Sequence, residues 1–343
     1  MRQCKRRACC WTFAETDQNS PWRRKYRFDF TYIRSVRLRR ELQDYMWHHC
    51  RSGIKSLATL RQENSWLKYY EAWLYERGID SLFQIRREDA EGFLTFLHTC
   101  VSKKTGRPLR LITQKHIYDT VRSVYRWYAV GHPEYAAVAQ LFPADVYQRI
   151  NRIVRTDYVS QGEVAQFLQV VEKTKNPCLC CGGTILTVTG LAPADLLSLR
   201  TDCIQMGRGG TYLRYYHHRK RTYCTVPVSE VCVRAVQKLK EQTDELRCIA
   251  PKEGKQQLFL YCNKWEQVVT PEPDLFRYWM RRAQEKDLIQ EAHGKSAVAA
   301  GEVLTATMLR RALIRDMWER NVPYMVIREL TGSAPVTERG SIA

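Results

Sequence analysis

Residues 304–332, LTATMLRRALIRDMWERNVPYMVIRELTG, predict two helices joined by a tight turn. The apolar residues of the first helix recur at helical spacing and form one core-facing stripe; they are Met308, Leu309, Ala312, Leu313 and Met317. Asn321 is a candidate N-cap of the second helix, Pro323 suits its first turn, and Gly332 is a candidate C-cap. Arg310 lies beside the apolar stripe, so it is either a surface arginine or a binding residue.

Length and composition are those of a globular protein with two domains. The chain has 343 residues, of which 44% are hydrophobic, which is enough for two ordinary cores. It contains no run of about 18 apolar residues, so we predict no membrane-spanning helix. Residues 1–13 are basic but lack the apolar segment of a signal peptide. We therefore expect a cytoplasmic protein without a membrane partner.

The charge balance favours a polyanionic partner. There are 55 lysines and arginines against 36 aspartates and glutamates, which gives a net charge of +19. A positive excess attracts polyanions over long distances. Charge alone does not separate DNA, RNA and an anionic membrane surface.

Residues 1–55 form the most basic segment, with 14 lysines and arginines against 5 aspartates and glutamates. Alternating apolar residues over 26–33 permit a short strand, and the residues after it permit a helix. Two interpretations stay open. One is an arm that lies on phosphate groups, because clustered cations gain from counterion release; the other is a solvated tail. Cys4, Cys9 and Cys10 lack the paired spacing of a zinc ribbon, so no metal site is predicted here.

Residues 56–153 predict a bundle of four helices, the last over roughly 133–153. Apolar residues at helical spacing mark the first three; they are Leu60, Leu67, Tyr70 and Leu74, then Ala90, Phe93, Leu94 and Leu97, then Ile117, Val121, Val124, Tyr125 and Tyr128. On the third helix, Lys115, Arg122 and Arg126 return to similar faces. They form either a phosphate-binding stripe or a solvated face. The aromatic residues of this helix are interpreted as core.

A second domain is predicted over residues 154–343. Ser160 and Glu163 form a capping box in front of an apolar run that reaches Val171. Two runs rich in Thr, Tyr and Val predict a hairpin with strands over 211–216 and 222–228, joined by a basic turn. Further predicted elements are a helix over 230–244, a strand over 258–261 and a helix over 276–283.

The cysteines are predicted to be reduced. Their number, 13, is odd and the chain has no export signal, which argues against a disulfide framework. The run Cys178-Leu179-Cys180-Cys181 matches the spacing of no zinc module, so we predict buried thiols there.

The opening stretch resembles the tyrosine recombinase (phage integrase) family. The family pattern is His-x-x-Arg, a helix, a turn, and a helix that ends in Leu-x-Gly-His. Here the corresponding positions read Thr307-Met308-Leu309-Arg310 and Leu330-Thr331-Gly332-Ser333. A second stretch, TGLAPADLLSL at residues 189–199, is similar to the family's Thr-Gly-x-Arg-x-x-Glu-Leu-x-x-Leu. The resemblance covers roughly residues 56–332.

The resemblance implies a mainly α fold with a small β-hairpin or sheet (α+β). Residues 1–55 are then a basic N-terminal arm, and residues 56–153 a helical core-binding (SAM-like) domain. Residues 154–343 are a catalytic-type recombinase domain that is truncated at its C-terminus. The implied partner is double-stranded DNA, clamped between the two domains, and no cofactor or metal is expected.

The resemblance also implies roles for individual residues. Arg310 falls on the family's second phosphate-binding arginine. The family has a catalytic lysine on a hairpin shortly before a Val-Pro pair, and Val226-Pro227 selects Lys220, although a different hairpin length would select Arg219 or Arg221. The alternative is a basic turn that binds in a DNA minor groove and takes no part in catalysis. The implied DNA-binding residues are Arg219, Arg221, Arg311, Lys115, Arg122 and Arg126.

Several side chains of the family's active site are absent. Ala192 stands at the position of the first arginine, and Thr307 and Ser333 stand at the two histidine positions. Counting forward to the position of the nucleophilic tyrosine reaches Ile342, just before the end of the sequence. These four residues are not expected to be competent, so the chain looks like a degenerate member.

The family transfers a DNA phosphodiester to a tyrosine hydroxyl without a metal, so fixed cations must meet the charge on phosphorus. Loss of one such contact is expected to cost about 3 kcal/mol, or about 100-fold in rate. Pro193 is expected in the first turn of a helix. Arg200 lies about two turns further along that helix and is not expected to replace the first arginine. Tyr324 lies on the wrong side of the final turn to be the nucleophile.

Three hypotheses follow. The first is a DNA-binding recombinase-family protein that acts in integration or site-specific recombination of a mobile element. It would be impaired in strand cleavage by itself, would assist an active partner recombinase or assemble as a homo-oligomer on DNA, and would lie at the nucleoid. The second is an active recombinase with a displaced or truncated nucleophile. The third is a DNA-binding regulator with no part in recombination.

Overall fold

A computed structural model describes residues 6–15, 19–22, 24–102, 105–147, 159–292 and 303–331. The chain divides into two compact units. The first comprises Met1–Thr16 and Arg23–Arg155, and the second comprises Asp17–Trp22 and Thr156–Ala343. Helices dominate the described part of both units, with small antiparallel sheets beside them. The predicted α+β class is therefore confirmed.

The first unit consists of a β-hairpin and a helical bundle. Its elements are β1 (Cys10–Glu15), β2 (Arg24–Asp29), α1 (Val36–Ser52), α2 (Leu57–Glu76), α3 (Arg87–Thr99), α4 (Leu111–Gly131) and α5 (Ala136–Gln140). The first three predicted helices correspond to α2, α3 and α4. The predicted fourth helix is shorter than expected, because α5 ends at Gln140 and Pro143 follows soon after. Residues 148–153 lie outside the described residues.

Residues 6–15 and 24–55 of the predicted N-terminal arm are folded into this unit, whereas residues 19–22 belong to the second unit. β1 pairs antiparallel with β2, with Trp11 opposite Phe28. Both side chains are fully buried in the same core as those of α1 to α4. The predicted strand and helix of this segment are present, and their inward apolar residues join them to the bundle.

Aromatic side chains fill the core of the first unit, as the interpretation of α4 predicted. Tyr70 of α2 and Tyr125 of α4 are buried, and their hydroxyl oxygens lie 2.6 Å apart in a hydrogen bond. The ring of Phe142 stacks on that of Tyr125 with 4.7 Å between centroids. Tyr128 donates from its hydroxyl to the carbonyl oxygen of Glu41, at 2.8 Å. The polar ends of these buried rings therefore have partners.

The second unit consists of helices around a three-stranded sheet. Its elements are α6 (Gln161–Glu172), α7 (Pro177–Thr189), α8 (Pro193–Leu197), β3 (Ile204–Gly207), β4 (Gly210–His217), β5 (Thr222–Pro227), α9 (Glu230–Gln242), α10 (Asp244–Ile249), β6 (Tyr261–Cys262), β7 (Val268–Val269), α11 (Pro273–Ala292), α12 (Ala306–Glu319) and α13 (Tyr324–Thr331). The sheet order is β3-β4-β5. The predicted hairpin is β4–β5, and sequence analysis missed β3.

Local sequence signals act here as expected, with one exception. The capping box is present, since Ser160 accepts from the Glu163 N–H and Glu163 accepts from the Ser160 N–H. Asn321, however, is not an N-cap. Its φ is 57°, and the Val322 N–H donates to the Met317 carbonyl at 2.9 Å. This is a Schellman end of α12, for which asparagine suffices because it tolerates the left-handed conformation.

The predicted buried thiols are confirmed for Cys178 and Cys181, whereas Cys180 is half-buried. Cys178 and Cys181 are buried in the core of the second unit, and burial raises the pKa of each to about 12. The cysteines in the part of the chain that the structure describes are free thiols. In that same part, no three His, Cys, Asp or Glu side chains cluster as metal ligands would. No helix there combines the length and apolarity needed to span a bilayer.

Candidate functional site

Arg310 lies on α12 with its side chain half-buried in the second unit. Thr305 caps the helix by accepting from the Met308 N–H at 3.3 Å. Leu309 and Ala312 face the core, so Arg310 is carried at the edge of that core. Its guanidinium donates to the carbonyl oxygen of Thr331 at the end of α13. Burial lowers the pKa of Arg310, yet a guanidinium stays charged at neutral pH.

The end of α7 packs against the stem of this arginine. Gly190 caps α7 with φ 63°, and its N–H donates to the Leu186 carbonyl at 2.9 Å. A Cβ at this position would lie 3.4 Å from Cγ of Arg310 and 3.1 Å from Cδ2 of Leu313. Glycine therefore serves two needs here, the left-handed turn and the close approach of α12.

Asp195 of α8 is the buried acid of the site. Pro193 starts the short helix, as predicted, and Ala192 is its N-cap residue. One Asp195 oxygen accepts the main-chain N–H of His218 at 3.0 Å and lies 3.0 Å from His218 Nδ1. The other oxygen lies 3.4 Å from His217 Nδ1, without the geometry of a hydrogen bond. The carboxylate thus faces two imidazoles of the β4–β5 hairpin.

Electrostatic interactions connect these groups. Burial lowers the pKa of His217; Asp195 opposes this shift, whereas Lys220 and Arg310 add to it. Tyr215 of β4 is buried and its pKa is raised, chiefly by desolvation, and Arg310 opposes that shift. Arg310 therefore lies within electrostatic reach of the hairpin and does not stand alone on an outer surface.

Lys220 lies in the loop that joins β4 to β5. The loop comprises residues 218–221, and it closes with an Arg221 N–H that donates to the His217 carbonyl at 2.8 Å. Arg221 has φ 53°, and Arg219, Lys220 and Arg221 are all exposed. Three exposed cations therefore lie at the tip of the hairpin, next to the pair of His217 and Thr222 that closes the loop.

No protein-family model matches the sequence, and no curated protein matches it. Solved structures do match it. A lambda integrase dimer (residues 75–356) bound to a core site superposes with a TM-score of 0.59 and 17% identity, covering 87% of this chain and 95% of that one. The chain has the tyrosine-recombinase fold. XerH site-specific recombinase bound to difH matches with a TM-score of 0.55 and 17% identity, over 86% of this chain and 79% of that one.

A third recombinase-fold match is the Tn1549 transposon integrase in complex with circular intermediate DNA. Its TM-score is 0.55 at 12% identity, over 87% of this chain and 92% of that one. Identities this low establish the shared recombinase fold and leave the activity of this chain to be argued from its own residues.

In the recombinase fold, the residues predicted at family positions are partly brought together. Arg310, Lys220 and the helix that starts after Ala192 all belong to the second unit, and Arg310 and Lys220 lie within electrostatic reach of His217. Thr307 is exposed in the first turn of α12, and Arg311 is exposed on the same helix. Ser333 and Ile342 lie outside the described residues. The roles predicted for these positions remain predictions.

One expectation about this region is wrong in its geometry. Arg200 was expected on the helix that contains Asp195, but α8 ends at Leu197. Arg200 instead forms an isolated bridge with Gln257. The chain therefore leaves the helix before it reaches Arg200, and the expectation that Arg200 does not replace the first arginine stays a prediction.

The basic stripe on α4 carries less charge than predicted. Lys115 and Asp119 form an ion pair of 2.9 Å on the same face. Arg122 is half-buried and Arg126 is exposed. The prediction counted the cations at helical spacing and left out Asp119, which lies between them.

Sequence analysis did not assign Asp195, His217 and His218 to the site. Asp195 was visible as the acidic residue of the TGLxxxDLLxL motif, and two adjacent histidines in a hairpin were visible too. Nothing in the spacing says that they meet, because they are 22 and 23 residues apart and belong to different elements.

Proposed function

We propose that this protein binds double-stranded DNA as a recombinase-family protein in integration or site-specific recombination of a mobile element, and that it is impaired in strand cleavage by itself. The observation that carries the proposal is the half-buried Arg310 beside Asp195 and the basic hairpin, in a recombinase fold. The lambda integrase, XerH and Tn1549 integrase structures that share this fold are complexes with DNA.

The charge of the chain supports a DNA partner. The net charge is +19, and the hairpin tip and α12 of the second unit present exposed cations, namely Arg219, Lys220, Arg221 and Arg311. Cations that neutralise phosphates release condensed counterions, so binding to a duplex becomes strongly dependent on salt. The protein would act on DNA as a homo-oligomer or with an active partner recombinase.

The proposed impairment rests on two positions of the described site. Ala192 stands where the resemblance places the first phosphate-binding arginine, and a methyl group donates no hydrogen bond. Thr307 stands where it places a histidine, and a hydroxyl does not exchange protons near neutral pH as imidazole does. Each loss removes stabilisation that develops in the transition state, at a cost of about 3 kcal/mol for an arginine contact.

Binding is tested by fluorescence anisotropy with a labelled duplex between 50 and roughly 200 mM salt, the range over which phosphate contacts weaken steeply. For the wild-type chain, the logarithm of the binding constant is expected to fall linearly with the logarithm of the salt concentration. Arg310→Lys is expected to weaken binding, because a lysine lacks the planar fork. Arg320→Lys is the matched control, since Arg320 is exposed on the end of α12 and pairs with Asp316 at 3.1 Å.

Absence of salt-dependent duplex binding by the wild-type chain would remove the proposal. Equal effects of Arg310→Lys and Arg320→Lys would remove the assignment of Arg310. Cleavage is tested separately by incubation with a nicked suicide duplex and denaturing electrophoresis. We expect no covalent adduct; an adduct that disappears with Arg310→Ala would identify an active recombinase instead.

A further inference from the structure

His217 lies at the end of the hairpin that is next to the basic loop. It is the last residue of β4, opposite Thr222, and its side chain is 13% exposed. Its Nδ1 lies 3.4 Å from a carboxylate oxygen of Asp195. Because Nδ1 faces the carboxylate, Nε2 is the ring nitrogen that is left for a ligand.

The groups that face His217 come from four elements. Asp195 comes from α8, Lys220 and His218 from the hairpin loop, and Arg310 from α12. Tyr215 comes from the same strand, and its ring centroid lies 6.1 Å from that of His217. Burial and three basic neighbours disfavour the imidazolium, while one carboxylate favours it. Burial is the largest of these effects, so the pKa of His217 lies below its ordinary value, and an added anion nearby would favour the imidazolium.

His218 has a different place. Its main-chain N–H and its Nδ1 both lie 3.0 Å from the same oxygen of Asp195. Its Nε2 is buried and has no hydrogen-bond partner among the described residues, and the ring of Trp22 lies 5.8 Å away. His218 is therefore a positioning residue that holds the Asp195 carboxylate, and His217 is the imidazole that is left to respond to a ligand.

We propose that His217 is the second phosphate-binding group of the Arg310 site, and that it takes up a proton from solvent when a DNA phosphodiester binds there. This rests on the proposed DNA-binding function. The imidazolium donates a hydrogen bond to a phosphate oxygen, with Asp195 behind it. It supplies next to Asp195 the positive charge that Ala192 does not, and the charge is present only in the complex.

Proton uptake on binding has a defined consequence. If the pKa of His217 lies below 6.5 in the free protein and above it in the complex, affinity must rise as pH falls between those two values. Linkage limits the effect of one proton to about a tenfold change in affinity per pH unit. An arginine pair, which is always charged, would show no such dependence over this range.

The experiment measures duplex binding by the full chain at pH 6, 7 and roughly 8 at constant ionic strength, a range that brackets the ordinary pKa of histidine. Calorimetry in two buffers of different ionisation enthalpy counts the protons taken up. We expect up to one proton for the wild-type chain and none at this site for His217→Gln. His132→Gln is the control, because His132 is exposed and lies beside Glu134 in the first unit; it should keep the wild-type uptake.

A second pair of variants distinguishes loss of the His217 charge from loss of folding. His217→Arg supplies a permanent cation and is expected to bind at pH 8 as tightly as the wild-type chain binds at pH 6, without proton uptake. Thr222→Arg adds the same charge at the exposed position directly opposite, and is expected to tighten binding while keeping the uptake.

The inference would be overturned if His217→Gln or His217→Arg still took up as many protons on duplex binding as the wild-type chain. Duplex binding by the wild-type chain with no proton uptake would also overturn it, and would leave the proposed function standing. A wild-type chain that binds no duplex at any pH would instead remove the proposed function itself.

Discussion

One carboxylate oxygen of Asp195 accepts the main-chain N–H of His218 and also lies 3.0 Å from the Nδ1 of the same residue. Because an ionised carboxylate only accepts, the ring nitrogen must carry the proton. This pair ties α8, which follows Ala192, to the loop that carries Lys220. Asp195 is 5% exposed, so the pair lies in an environment where an unmatched polar group is costly.

Asp195→Asn is therefore expected to destabilise the second unit by about 1–3 kcal/mol, the cost of leaving a buried group without a matched partner. The measurement is the midpoint of urea unfolding, monitored by circular dichroism. Asp274→Asn is the control, because the Asp274 side chain is 88% exposed on α11. Equal midpoints for the two variants would show that the Asp195 pair does not hold the hairpin.

Gly190→Ala is expected to destabilise the protein by about 1–2 kcal/mol and to weaken duplex binding, since its φ of 63° disfavours a side chain and its Cβ would press on Leu313 and on the Arg310 stem. Gly78→Ala is the matched control. Gly78 has φ 68° and nothing within 4 Å of an added Cβ, so it measures the backbone effect alone. If both variants lose the same stability, packing against Arg310 contributes nothing.

His49 makes the first unit sensitive to acid. Burial, with smaller effects of Lys55 and His48, lowers the pKa of His49 to about 4. The unfolded chain binds the proton at its ordinary pKa, so folding is favoured above about 6.5 and this contribution is lost as pH falls toward 4. After allowance for solvent screening the loss is about 1 kcal/mol.

His49→Gln is expected to flatten the decline in urea midpoint between pH 6.5 and roughly 4, the interval set by the two pKa values. His98→Gln, at an exposed position of α3, should follow the wild-type curve. A His49→Gln curve parallel to the wild-type one would place the acid sensitivity elsewhere.

Tyr70 and Tyr125 form a buried hydroxyl pair, 2.6 Å between oxygens. Tyr125→Phe is expected to cost about 1–2 kcal/mol, because it leaves the Tyr70 hydroxyl buried without a partner. The double variant Tyr70→Phe/Tyr125→Phe is expected to recover most of that loss. Urea unfolding of the wild-type chain, the two single variants and the double variant measures the coupling energy between the hydroxyls. Additive losses of stability would show that the hydroxyls act independently.

Patterns of short range were sufficient for much of the fold. Helical spacing predicted α2, α3 and α4, the Ser160–Glu163 capping box predicted the start of α6, and two runs rich in Thr, Tyr and Val predicted the β4–β5 hairpin. These patterns depend on residues within a few positions of one another, so they can be interpreted without knowledge of the rest of the chain. The position of Arg310 beside an apolar stripe belongs to the same class.

Where short-range preferences compete, the sequence did not decide the outcome. Asn321 is a good N-cap and also tolerates φ above zero. The structure uses the second property, because the end of α12 must place Val322 so that its N–H reaches the Met317 carbonyl. The sequence of residues 1–55 was equally compatible with an arm and with a tail; only the structure shows that Trp11 and Phe28 are buried in the bundle core.

By itself the sequence determined the helices, the hairpin and the absence of an arginine at position 192, because these are local properties of composition and spacing. Only the tertiary structure decided that Asp195 meets His217 and His218 and that Arg310 lies within their electrostatic reach. The reason is physical: packing of α7, α8 and α12 around the sheet brings together side chains that are far apart in the chain, and the energy of a buried charge depends on those neighbours.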